Sequence, residues 1–152
     1  MTQYEDTGRE MGGDLRESRG QGDQAEVQQV LDQMARALIS GDGRAVARLW
    51  EPPALVLSDQ EVHSVASSEE VEKFFGGAKD QYNQMGIVDT RPDIQRLTWP
   101  TRRMAIVDVR WPWLDANGRE SGSETSTYTF RRDDSGQLKL RVVVMHGVAR
   151  ND

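Results

Sequence analysis

Cysteine is missing from this chain altogether. Disulfide-stapled secreted scaffolds, thiolate metal centres and thiol nucleophiles are excluded together, and a reducing cytoplasm fits. Histidine is scarce, at two residues, so a dedicated transition-metal site is not expected, and no cofactor is implied. Long apolar runs are lacking too: none approaches the roughly 20 residues that a membrane helix needs, so no membrane partner is expected. Met1–Asp23 has no apolar central segment and does not read as a secretory signal. A glycine-rich phosphate loop, a nucleophile elbow and a paired-histidine metal motif are all absent. Excess positive charge is missing as well. The net charge is −6, and an acidic chain is repelled by phosphate, so nucleic acid is not an expected partner.

What is present fits one domain, since 152 residues can bury a core without staples. Residues 1–23 carry five glycines and few large apolar groups. They read either as a disordered acidic tail or as a peptide that folds onto a partner. Asp23 with Glu26 resembles a capping box that starts a first helix, and Val27, Val30, Leu31, Met34 and Leu38 form its apolar stripe. Gly41 stops that helix. Asp42 caps a second, short helix that presents Val46, Leu49 and Trp50 and ends at Pro52-Pro53.

Ala54–Ser58 and Glu61–Ala66 read as a small hairpin, turned by Asp59-Gln60. Ser67 with Glu70 makes a second capping box, opening a third helix that carries Val71, Phe74, Phe75, Ala78, Tyr82 and Met85. Gly76-Gly77 inside it implies either a bend or a break into two shorter helices. Ile87–Trp99 is an interrupted strand, with Pro92 at an edge or bulge.

The last third holds three strand-like runs, Arg103–Leu114, Glu124–Arg132 and Leu138–His146, joined by turns at Asp115–Gly118 and Asp133–Gly136. Helices followed by a long antiparallel meander predict an α+β domain with its helices on one face of the sheet. Alternation assigns Ala105, Val107, Val109 and Trp111 to the helix-facing side, with Tyr128 and Phe130, and with Leu138, Leu140, Val142, Val144 and His146. The opposite face mixes polar groups with Met104, Ile106, Val143 and Met145. That mixture suits a homodimer interface formed by Met104, Ile106, Asp108, Arg110 and Val143, in which Asp108, beside Arg110, makes an interface salt bridge.

Several stretches carry a family resemblance. They are Ala-Leu-Ile-Ser-Gly-Asp (37–42), Leu-Trp (49–50), Ser-Ser-Glu-Glu-Val-Glu-Lys-Phe-Phe (67–75), Asp-Ala-Asn-Gly (115–118), Tyr-Thr-Phe (128–130) and Val-Val-Val-Met-His (142–146). In that order they resemble the nuclear-transport-factor-two-like superfamily, in its SnoaL-like branch, over residues 24–148, leaving 149–152 as a C-terminal tail. The resemblance implies a cone: a curved antiparallel sheet with three N-terminal helices packed on its concave face, enclosing an apolar pocket.

Trp50, His63, Trp111, Tyr128 and His146 are the candidate pocket residues, with His63 pointing either in or out. Aromatics placed this way suit a small apolar or aromatic ligand and suit core packing equally. His146 is the one candidate catalytic group, as a general base, or else a hydrogen-bonded core histidine. The ketosteroid isomerases of the superfamily use a base carboxylate near the first hairpin. Here that position falls on Ser58, with Asp59 one residue along and turned to the other face. Two function classes follow. One is a non-catalytic binding, assembly or regulatory domain; the other is an isomerase, cyclase or dehydratase using His146.

Overall fold

The computed structural model describes the backbone of residues 13–151 and the side chains of residues 22–151. Among the described residues four helices precede and interleave with seven strands. They are α1 (Gly13–Ser40), α2 (Gly43–Arg48), β1 (Trp50–Leu57), β2 (Val62–Val65), α3 (Ser68–Phe75), α4 (Ala78–Gln84), β3 (Asp89–Thr90), β4 (Asp93–Thr98), β5 (Met104–Leu114), β6 (Glu120–Arg132) and β7 (Leu138–Arg150). The strands form one sheet in the order β2-β1-β7-β6-β5-β3, with β4 also paired to β5. The fold is α+β, with a curved, unclosed sheet and helices on its concave face. The sheet is mixed rather than antiparallel throughout, because β1 runs parallel to β7.

Local chemistry sets most boundaries. The Asp42 side chain accepts from Ala45 N–H at 3.1 Å, and α2 starts there. Ser67 Oγ accepts from Glu70 N–H at 3.2 Å while the Glu70 carboxylate accepts from Ala66 N–H at 2.7 Å, a reciprocal cap for α3. In the β5–β6 turn the Asp115 carboxylate accepts from the Asn117 and Arg119 amides. The Asp133 carboxylate likewise accepts from the Ser135 and Gln137 amides in the β6–β7 turn. The expected third helix breaks at Gly76-Gly77 into α3 and α4, so two helices stand where one is expected.

The first helix does not begin at Asp23. It runs from Gly13 straight through the expected cap, because Asp23 and Glu26 both turn to Arg132 on β6. Arg132 donates to Glu26 through two nitrogens at 2.9 Å each and to Asp23 at 3.2 Å, and its guanidinium lies 5.4 Å over the Trp99 ring. Once the buried stripe has nucleated the helix, each added turn is cheap. Residues 1–12 of the expected tail lie outside the described residues. At the other end β7 reaches Arg150, so three of the four residues expected as a tail are strand or adjoin it.

The core lies between α1 and the concave sheet face. Val27 and Leu31 of α1 meet Val107, Phe130 and Leu140, all with no exposed surface. Trp50 opens β1 instead of closing α2 and packs against Phe75, with ring centroids 5.6 Å apart. No helix among the described residues is long and apolar enough to cross a membrane.

Candidate functional site

The meander strands build the wall of a cavity of about 620 Å³, a size typical of small-molecule pockets. Strand β5 supplies Trp111 and Trp113, and β6 supplies Glu124, Ser126 and Tyr128. Phe74 and Phe75 of α3, Tyr82 of α4 with Met85 at its C-terminal cap, and Met34 and Leu38 of α1 close it from the helix side. Alternation puts these β5 and β6 residues on one face, and Trp111 lies opposite Glu124 in the β5–β6 ladder. Gly122 makes room for Trp113: a Cβ there would stand 2.9 Å from Trp113 Cε3 and 2.8 Å from the Ala149 carbonyl oxygen.

Strand β7 departs from simple alternation twice. Phe130 pairs with Leu140 but Thr129 with Val142, so Arg141 is an extra residue. Ser126 pairs with Met145 but Thr125 with Gly147, so His146 is a second extra residue, and Gly147 carries the positive φ of 128°. Each bulge shifts the inward register by one. The cone-facing residues become Val143, Met145 and Val148, not Val142, Val144 and His146.

His146 therefore faces the other way. Its Nε2 lies 2.7 Å from Thr127 Oγ1 and its Nδ1 3.2 Å from Thr125 Oγ1. Thr127 in turn donates to Asp108 at 2.6 Å, so His146 joins a hydrogen-bonded row on the outer sheet face. It cannot act as a base inside the cone. Trp50 is buried in the core under Phe75 and does not line the cavity, and His63 is exposed at the β2 edge, its ring stacked 5.1 Å from Phe74. Of the five expected pocket residues, Trp111 and Tyr128 border the cavity, meeting edge to face with centroids 6.2 Å apart. Val143, expected on the outer face, is buried on the inner one. Within the chain Asp108 accepts from Thr127, and Arg110 pairs with Glu120.

Glu124 is the group that sequence reasoning passed over. It shares the inward parity of Tyr128 and Phe130, so an acidic residue on an apolar stripe was the available signal. Burial raises its carboxyl above the ordinary value, and the Tyr82 hydroxyl opposes part of that rise. The phenols of Tyr82 and Tyr128 are held well above their usual range, first by burial and then by the charge of Glu124. The indole N–H of Trp113 is buried without an acceptor, and that of Trp111 has only a poorly aligned approach to the Tyr128 oxygen.

A smaller hollow of about 240 Å³ opens beside the cone, where β1 has ended and β7 continues. Asp59, Gln60 and His146 border it on one side, while Glu124, Ser126 and Met145 border both hollows. Among the described residues no cluster of three or more His, Asp or Glu could hold a metal ion.

The family pattern described as NTF2-like protein (DUF6841) matches residues 25–148. The chain belongs to this NTF2-like family. Solved structures agree on the fold. A domain of unknown function with a cystatin-like fold from Nostoc punctiforme PCC 73102 is 16% identical with TM-score 0.65, covering 86% of this chain and 78% of that one. An NTF-2 like protein of unknown function from Shewanella oneidensis MR-1 is 12% identical with TM-score 0.63, covering 82% and 98%. A ketosteroid isomerase-like protein from Erwinia carotovora atroseptica SCRI1043 is 11% identical with TM-score 0.58, covering 80% and 93%. No curated protein matches significantly. At these identities the likeness of the NTF2-like chain to its neighbours is one of fold, and its function has to be argued from the cone.

Proposed function

We propose that this NTF2-like chain is a small-molecule-binding domain that holds its ligand in the cone without transforming it. The observation that carries this reading is the cavity of about 620 Å³, with aromatic and aliphatic walls and one half-buried carboxyl. An apolar cavity with few polar groups is the ordinary form of a ligand pocket. The isomerase, cyclase or dehydratase reading loses His146 as its base, since that ring bonds Thr125 and Thr127 on the outer face. Were the cone catalytic, Glu124 would be the residue to move a proton.

We further propose a cytoplasmic homodimer joined through the outer sheet face. Ladder pairing places Ile106, Thr129, Val142 and Leu55 in one cross-strand row. Ile106 is 39% and Leu55 38% exposed, as is Val144 in the next row at 38%. Such a patch on an open sheet supports self-association. Native mass spectrometry of the purified protein tests both parts. A dimer mass that sheds a small molecule on gentle activation is the expected result; a bare monomer that no small molecule stabilises would refute the reading.

A further inference from the structure

Resting on the cone as a binding site, we propose that its ligand class is a lipophilic organic ammonium ion, paired with the Glu124 carboxylate inside the ring of aromatic side chains. Most of the polar surface that β6 and α4 offer the cavity is oxygen: the Glu124 carboxyl and the hydroxyls of Ser126, Tyr82 and Tyr128, with the exposed side-chain amide of Gln81 adding an oxygen and the one side-chain N–H donor from those two elements. Each of these accepts hydrogen bonds, and a ligand ammonium has only donors to give. The wall's two indole donors, on Trp111 and Trp113, are enclosed with almost no accessible surface and so cannot meet an incoming acceptor without moving.

Among the described residues Glu124 also lacks a cation of its own. None of the ion pairs among the described residues includes it, and no basic group contributes to its titration. A carboxylate taken out of water and left unpaired is costly, and a ligand cation relieves that cost. The surrounding Trp111, Tyr82, Tyr128 and Phe74 supply the electron-rich rings that attract a desolvated ammonium. One charge points the other way: Arg150 also borders the cavity, beyond Val148 on β7. Gly122 pairs with Arg150 and Glu124 with Val148, which sets Arg150 one inward step along the strand. It suits a ligand with its cation deep and a polar or anionic end outward.

Isothermal titration of three probes of one shape tests the assignment: 2-naphthylmethylamine, 2-naphthylmethanol and 2-naphthoate. The expected order is amine first, by about tenfold or more over the alcohol, as a charge-assisted hydrogen bond implies. Naphthoate should be weakest. In Glu124→Gln the amine should lose its advantage while the alcohol keeps its affinity. If the alcohol binds as well as the amine, or naphthoate binds best, the ammonium assignment falls and the cone remains a pocket. If none of the three binds, the pocket reading itself falls. The wild-type ranking decides the matter even if the variant does not fold.

Discussion

Replacing Arg132 by alanine cuts the tie between α1 and the far end of β6. Three hydrogen bonds to Glu26 and Asp23 go, with a fourth to the Gly136 carbonyl at 3.2 Å and the stacking over Trp99. Hydrogen bonds between charged groups contribute about 1.5–3 kcal/mol when well enclosed, whereas exposed ion pairs contribute at most about 1 kcal/mol. Here the side chains are 22% exposed for Arg132, 29% for Asp23 and 36% for Glu26, so the tie lies between those limits. With the contact to Trp99 added, the loss should be about 2 kcal/mol. For a chain of this size that lowers Tm by roughly 4–8 °C. Thermal and urea unfolding followed by circular dichroism measure it. A double-mutant cycle with Glu26→Gln should return a coupling of about 1 kcal/mol. Hydrogen exchange should quicken in the helical turns before Glu26. A melting temperature within a degree of wild type, with no coupling in the cycle, would refute the claim that this cluster anchors the helix.

Glu124→Gln should change how stability responds to pH. The folded state holds the Glu124 proton more tightly than the unfolded chain, so wild-type stability falls as pH rises from about 4.5 through the raised value, and the penalty is complete above it. The variant lacks that penalty, so it should melt near wild type in acid and above it at neutral pH; a difference that does not vary between those conditions would count against burial as the cause. Gly122→Ala should destabilise by about 1–3 kcal/mol, because the new methyl meets a backbone carbonyl and the Trp113 ring; wild-type melting would show that the wall gives way freely. Ile106→Lys should convert dimers to monomers by size exclusion with light scattering, since an unpaired charge would be buried; an unchanged elution volume would argue against the outer face as the interface.

Much of this molecule is legible where a residue acts on its near neighbours. Asp42, and Ser67 with Glu70, cap the helices they were expected to cap, and Asp115 and Asp133 close their turns, because each needs only a side chain and an amide two to four residues away. Alternation reads β5 and β6 correctly as far as Ala105–Trp111 and Tyr128–Phe130, since the β5–β6 ladder is regular there. It fails in β7, where Arg141 and His146 are extra residues. Gly147 beside His146 was the visible hint, as glycine in a strand often marks a bulge. Asp23 and Glu26 look like a cap in sequence but serve a guanidinium more than a hundred residues away, which no local rule can foresee. The parallel pairing of β1 with β7 is likewise a tertiary fact. Glu124 shares the inward parity of Tyr128 and Phe130, but parity alone does not say that the strand still faces a cavity, and not solvent, at that end.

Occupancy of the cone by a small molecule can be read at the cavity wall itself. The four tryptophans test it directly through their indole N–H signals in a 15N-labelled sample titrated with 2-naphthylmethylamine or its alcohol. Trp111 and Trp113 border the cavity, while Trp99 lies under Arg132 outside it. Ligand in the cone should move the Trp111 and Trp113 signals and leave Trp99 in place; binding seen by calorimetry that moves Trp99 alone, or none of the four, would contradict the account.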